Sequence, residues 1–167
     1  RTATVPGRME RLAGGPNRPL VVVDYAHTPH ALEQALRALR EHGGGRLWCV
    51  FGCGGDRDAG KRPLMGAAAE RWADRVTITD DNPRGEDPQR IVRDIQAGMR
   101  HPEAAAVIRD RRTAIAHTLA EAAPGDIVLI AGKGHEDVQI VGAEKRPFSD
   151  RDVARECLSS AGQMETA

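Results

Sequence analysis

The feature that most narrows the fold is an alternation along the chain. Short β-branched, apolar runs are each followed by a polar loop and then by apolar residues at helical spacing. Leu20–Asp24 (LVVVD) reads as a buried strand. Thr28 and Pro29 read as an N-cap and a first-turn proline, and Ala31, Leu32, Ala35, Leu36 and Leu39 as the apolar stripe of a helix stopped by Gly43, Gly44 and Gly45. Residues 46–51 (RLWCVF), 76–79, 105–108 and 126–131 (DIVLIA) repeat the strand pattern, with helices predicted over 62–73, 88–99 and 112–123. Residues 138–148 suit a short hairpin. Ser149 with Asp152 resembles a capping box that opens a last helix to Leu158, followed by a frayed tail after Ser159. The first nineteen residues, rich in Gly, Pro and Arg, read as a linker or an edge hairpin. The alternation predicts an α/β, Rossmann-like fold: a mostly parallel sheet of about six strands with helices on both faces.

A chain of 167 residues is long enough for one domain with its own core. With 24 Lys and Arg against 24 Asp and Glu, it has no net charge to draw it to nucleic acid or to an anionic membrane. One Tyr, two Phe and two Trp do not make a base-stacking platform. Three cysteines are no disulfide framework, and Cys49 and Cys53 lack the His/Cys partners of a zinc site, so they read as reduced core residues. No apolar run approaches the ~18 residues of a membrane span, and no charged-then-apolar signal pattern is expected from these residues. The expected compartment is the cytoplasm. The chain begins with Arg1 rather than Met and reads as a piece of something longer.

In a parallel sheet, ligands sit beyond the carboxyl ends of the strands. The chemically unusual residues of this chain fall there: 24–27, 52–61, 80–84 and 132–136. Together these loops predict a composite site, although each alone is also explained by helix caps and tight turns. Gly55, Gly60 and Lys61 have the spacing of a phosphate-cradling loop, but Arg62 stands where Ser or Thr would hold Mg²⁺, and Asp56 and Asp58 would repel phosphate. Arg57 in the same loop suits a carboxylate, or pairs with its neighbouring aspartates. In Asp81-Asn82-Pro83-Arg84, Pro83 stiffens the turn. The amide and guanidinium on either side of it either converge on one carboxylate or cap the next helix. The glycines Gly132 and Gly134 allow close backbone approach, and Glu136 offers an anion to an ammonium group. His135 suggests a base or a plain hydrogen-bonded loop residue; Gln139 in place of a second His excludes a zincin helix. Asp24 and His27 hold either a ribose and base or the first turn of the following helix.

The ordered set DYAHTP (24–29), GCGGDRDAGKRP (52–63), DNPR (81–84), DRRTAI (110–115) and GKGHED (132–137), preceded by PGRME (6–10), resembles the C-terminal domain of the Mur ligases, and within them the diaminopimelate-adding branch. The resemblance spans nearly the whole chain. It implies a three-domain, ATP- and Mg²⁺-dependent ligase of peptidoglycan precursor synthesis. Such an enzyme phosphorylates the D-glutamate γ-carboxylate of UDP-N-acetylmuramoyl-L-alanyl-D-glutamate, and the amine of meso-diaminopimelate then displaces the phosphate. Residues 1–19 would then be an edge segment leading in from the preceding domain, 20–160 the C-terminal domain and 161–167 a tail. The true phosphate loop and most Mg²⁺ ligands would belong to the domains upstream, leaving this domain inactive alone.

Carried over position by position, the resemblance gives Arg57, Asp81, Asn82, Pro83, Arg84, Gly132 and Glu136 to diaminopimelate. It gives Arg8, Asp24 and His27 to the nucleotide, and no metal ligand or catalytic residue to this domain. In this assignment Arg84, Asn82 and Arg57 clamp the distal carboxylate, while Glu136 and the Gly132 carbonyl take the ammonium. Lysine lacks that carboxylate and would leave the donors unpaired, a defect that can cost about 10⁴–10⁵ in discrimination. The alternatives are a lysine-adding relative, folylpolyglutamate synthetase, or a non-catalytic binding module on the same scaffold.

Overall fold

The computed structural model describes residues 8–42 and 44–166, with side chains through Ser159. Pro6, Gly7 and Gly43, used above as motif and helix-stop residues, lie outside the described residues. The strands are β1 (Glu10–Ala13), β2 (Leu20–Asp24), β3 (Leu47–Phe51), β4 (Arg75–Ile78), β5 (Ala106–Val107), β6 (Ile127–Ala131), β7 (Val138–Val141) and β8 (Glu144–Pro147). The helices are α1 (Pro29–Arg40), α2 (Lys61–Trp72), α3 (Pro88–Gln96), α4 (Arg111–Glu121) and α5 (Asp150–Thr166).

Six strands form one sheet in the order β1-β2-β6-β3-β4-β5, parallel except for β1, which runs antiparallel to β2 at the edge. The expected Rossmann-like architecture is therefore present, and the segment read as a linker or edge hairpin supplies the edge strand. Side chains alternate across the sheet with the strand period of two. Val22, Cys49, Phe51, Leu129 and Ala131 face a core built with Leu32, Leu36, Met65 and Ile95 of α1–α3. Val21, Val23, Val50, Val128 and Ile130 face Ile115 and Leu119 of α4 and Val153 of α5. Cover on both faces explains why β6 is buried at all five positions and reads as a continuous apolar run.

The helix starts follow the sequence. Thr28 Oγ1 accepts from Ala31 N at 3.1 Å, and Asp87 and Asp110 cap α3 and α4 in the same way. Ser149 Oγ accepts from Asp152 N at 3.2 Å at the head of α5. Most boundaries move by one or two residues, and three of the differences bear on the fold. The fourth predicted strand shrinks to the two residues of β5, an edge with Val107 exposed. Helix α3 ends at Gln96 rather than Met99, where Gly98 packs against the Pro63 backbone too closely for any Cβ. Helix α5 continues to Thr166 through the stretch read as a frayed tail. The hairpin β7–β8 stands apart from the main sheet and is joined to the 79–84 loop by a parallel bridge between Arg84 and Val141.

Candidate functional site at the carboxyl edge of the sheet

The parallel strands β2, β6, β3 and β4 all end on one edge, and their loops fasten to one another there. The Gly55 N–H donates to the Asn82 carbonyl at 2.8 Å, and Arg84 Nη1 donates back to the Gly55 carbonyl at 3.0 Å. A Cβ on Gly55 would overlap the Pro83 carbonyl, so only glycine allows this approach. Arg84 Nη1 and the Arg57 side-chain stem both flank Gly54, at 2.8 and 3.7 Å from where a Cβ would stand. The two arginines thus share one corner, as a carboxylate clamp requires. Arg57 is exposed, and among the described residues it bonds the Asp56 carbonyl, at 3.0 Å. Its suspected pairing with nearby aspartates does not occur: Asp56 accepts from Gly85 N at 2.9 Å and Asp58 from Gly60 N at 2.9 Å.

Arg84 adopts φ +52°, a left-handed conformation that costs a non-glycine residue about 1 kcal/mol or more. The hairpin holds it there. Arg84 N donates to the Ile140 carbonyl at 3.0 Å and Gly142 N to the Arg84 carbonyl at 2.6 Å. Asp81 and Asn82 are both 7% exposed. Gln139 Nε2 from β7 donates to the Asp81 carbonyl at 2.7 Å, and Ile140 N to Asn82 Oδ1 at 2.9 Å.

From the β6 side comes the 132–136 loop. Gly132 has φ +116°, and a Cβ there would lie 2.7 Å from Asp81 Oδ2. This turn sends Lys133 inward, where it is wholly buried. Its ammonium donates to Asn82 Oδ1 at 2.7 Å and to the Val138 carbonyl at 2.9 Å. It also stands 3.6 Å from Asp81 Oδ1 and 3.9 Å from Glu136 Oε1. Burial draws the Lys133 pKa below the ordinary lysine range against the pull of Asp81. Glu136 is half-buried, and desolvation raises its pKa, opposed by Lys133, His27 and Arg84 and reinforced by Asp81.

Of the residues given to the nucleotide, Arg8 and His27 meet around Tyr25. Tyr25 and His27 meet edge to face with centroids 4.5 Å apart, His135 lies 6.4 Å from Tyr25, and the Arg8 guanidinium stands 5.9 Å over the Tyr25 ring. Asp24 uses one carboxylate oxygen on its own turn, accepting from Ala26 N at 2.8 Å, and the other on the incoming segment, accepting from Met9 N at 2.7 Å. His27 Nδ1 bonds the Tyr25 carbonyl at 2.8 Å, and Lys61 Nζ the His27 carbonyl at 2.7 Å. Neither side chain bonds the first turn of α1, which Thr28 caps; the Asp24 carboxylate instead braces the backbone beside Arg8. Among the described residues no three His, Cys, Asp or Glu side chains gather to hold a metal. Among them, too, no helix is long and apolar enough to cross a membrane.

Sequence reasoning missed the buried cations beneath the site. Arg111, in the quoted DRRTAI stretch, makes a two-pronged pair with Asp150 at 2.7 and 2.8 Å and donates to the Asp80 and Ala131 carbonyls at 3.0 and 3.1 Å. Burial opposes its charge, but Asp150 more than compensates and holds the guanidinium above its ordinary range. Lys133 lay inside a quoted motif without a role. The signal available was its place between two glycines at a strand end.

Comparison with known proteins points to one family. The profile of the family described as Mur ligase, glutamate ligase domain, matches residues 7–134. UDP-N-acetylmuramoyl-L-alanyl-D-glutamate–2,6-diaminopimelate ligase of Pseudomonas putida is 57% identical over 154 residues, 92% of this chain and 31% of the relative. The protein of that name from Acidovorax sp. is 58% identical over 165 residues, 97% and 33%. A solved structure of a ligase of that name superposes with a TM-score of 0.89 at 45% identity, covering 96% of this chain and 33% of the other. The chain thus spans about a third of the length of these relatives.

Proposed function

The chain belongs to the Mur ligase family, as its C-terminal glutamate ligase domain, and from that premise we propose that it is the amino-acid-recruiting domain of a cytoplasmic, ATP-dependent ligase that adds meso-diaminopimelate to UDP-N-acetylmuramoyl-L-alanyl-D-glutamate. The observation that carries this reading is the shared corner at Gly54, where Arg84 and Arg57 stand beside the Asn82 turn, with the Glu136 and Asp81 carboxylates brought together around Lys133. Diaminopimelate ends in a carboxylate and an ammonium on one carbon. Arg84, with Nε and Nη2 left over from its bond to Gly55, and Arg57 take the carboxylate. Glu136 takes the ammonium, and the second amine stays free to attack.

The ring cluster of Tyr25, His27 and His135 with Arg8 fits a purine and its phosphates, and the domain closes on the nucleotide through it. ATP, when bound, supplies the phosphoryl group that activates the γ-carboxylate. Mg²⁺ is held by the remaining two thirds of the enzyme. The residues of this domain bind, orient and exclude water when the loops dock.

The test is amide formation by the full-length ligase carrying this domain, with UDP-N-acetylmuramoyl-L-alanyl-D-glutamate, ATP and either meso-diaminopimelate or L-lysine. The expected result is a preference for diaminopimelate of at least about 10⁴ in kcat/KM. Equal use of lysine overturns the assignment.

A further inference from the structure

We propose that Lys133 is the positioning residue that sets specificity for the distal carboxylate, by fixing the Asn82 amide with its nitrogen turned to the substrate. The inference rests on the diaminopimelate reading and goes one layer beneath it. The ammonium of Lys133 and the backbone N–H of Ile140 both donate to the same side-chain atom of Asn82, at 2.7 and 2.9 Å. Both are donors only, so the atom between them is the amide oxygen, and the amide has one orientation. Its Nδ2 has no partner among the described residues, although Asn82 is 7% exposed. An NH₂ left without a protein partner in the same turn as Arg84 is a ready donor to an anion. Turned over, the amide would set its oxygen against that anion and its NH₂ against an ammonium.

Lys133 also sets the charge of the pocket. It stands between Asp81 and Glu136 at 3.6 and 3.9 Å, one cation against two carboxylates. One negative charge is left over, matching the ammonium of an amino-acid head. The lysine is itself wholly buried and points away from solvent. It therefore acts through Asn82 and Glu136 rather than on the substrate.

The experiment uses the full-length ligase with Lys133→Met, Asn82→Ala and the double variant. The unmutated enzyme is assayed first with meso-diaminopimelate and L-lysine; failure of preference there removes the substrate reading and is seen before any variant is made. Given that preference, Lys133→Met is expected to raise KM for diaminopimelate about tenfold or more, to leave KM for ATP within about twofold, and to narrow the preference over lysine. In the Asn82→Ala background the same change is expected to add little, because coupled residues do not act additively. Equal shifts in both KM values, or effects of the two substitutions that multiply, would overturn the proposal. Should Lys133→Met fail to fold, the unmutated enzyme decides. With ¹⁵N-asparagine, the NH₂ signal that Asn82→Ala removes must shift with meso-diaminopimelate and stay in place with L-lysine. A signal unmoved by diaminopimelate overturns the orientation.

Discussion

Arg62 and Glu86 face each other through two parallel hydrogen bonds, Nη1 to Oε2 at 2.6 Å and Nη2 to Oε1 at 2.7 Å. The same guanidinium reaches Asp94 of α3 at 3.0 Å and the Gly54 carbonyl at 3.0 Å. At the position where a phosphate loop needs a hydroxyl for Mg²⁺, this chain has a buried brace instead. Arg62 ties the glycine loop from below to α3 and to the turn preceding it. Two adjacent carbonyls of the loop are thus held by two arginines, Gly54 by Arg62 and Gly55 by Arg84.

Replacing Arg62 with Met should be strongly destabilising. The side chain is wholly buried, and its removal strands Glu86 and Asp94 without their cation. Breaking such a pair from one side costs about 3–5 kcal/mol. Urea denaturation should show the midpoint falling at unchanged slope. A loss below about 1 kcal/mol would mean that the carboxylates find solvent or another partner.

The pair also makes stability depend on acid. The Arg62 hydrogen bonds hold the Glu86 pKa at about 2, below its ordinary 4.5, helped by the Asp56 N–H and opposed by burial. A depressed carboxyl contributes stability that is complete above its unfolded value and is lost as pH falls toward the folded one. The contribution, on the order of 3 kcal/mol, should vanish between about pH 4.5 and 2. Unfolding free energies measured across that window should drop steeply in the native protein and more shallowly in Glu86→Gln. Parallel slopes would place the acid sensitivity elsewhere, for example at Asp110 or Asp126, whose values are also lowered.

What the sequence made legible was periodic or local. The alternation of LVVVD, RLWCVF and DIVLIA with helical stripes placed the sheet, and Thr28 capped α1 at the expected point. The carboxyl-end rule pointed to the loops that gather into the candidate site. The hidden part was long-range and polar. Nothing local says that Lys133 and Arg62 point inward, because a buried cation depends on partners 51 and 24 residues away. The left-handed turn at Arg84 was equally hidden. It exists because β7 supplies bonds from far along the chain, overriding the residue's own preference.

Arg84 allows its backbone and side-chain roles to be separated. Arg84→Ala should lose the carboxylate clamp and raise KM for diaminopimelate by about 2–4 kcal/mol equivalent, with KM for ATP much less affected. Arg84→Gly should lose the clamp to the same extent yet fold more stably than Arg84→Ala, by about 1 kcal/mol, since glycine accepts φ +52° without strain. Paired thermal melts and kinetics check both halves. Equal effects of Arg84→Ala on the two KM values would contradict the clamp.

Glu136 links amino-acid binding to pH. Desolvation raises its pKa above 4.5, while Lys133 opposes the shift. Only the ionised carboxylate accepts an ammonium, so binding draws the proton off. The sign follows: as pH falls through the raised value, KM for diaminopimelate should climb, and KM for ATP should climb less. Glu136→Gln removes the titrating group. It should weaken diaminopimelate binding at neutral pH, by about 1.5–3 kcal/mol for a hydrogen bond to a charged group, and should flatten the acid limb of the profile. The fold should survive, because the Glu136 side chain is 35% exposed and the loop is held by its backbone bond to the Lys133 carbonyl at 2.9 Å. Calorimetric titration of diaminopimelate into the native and Glu136→Gln enzymes between mildly acidic and neutral pH measures both effects. An unchanged affinity in the variant would remove Glu136 from the ammonium site and leave Asp81 as the nearest carboxylate able to take its place.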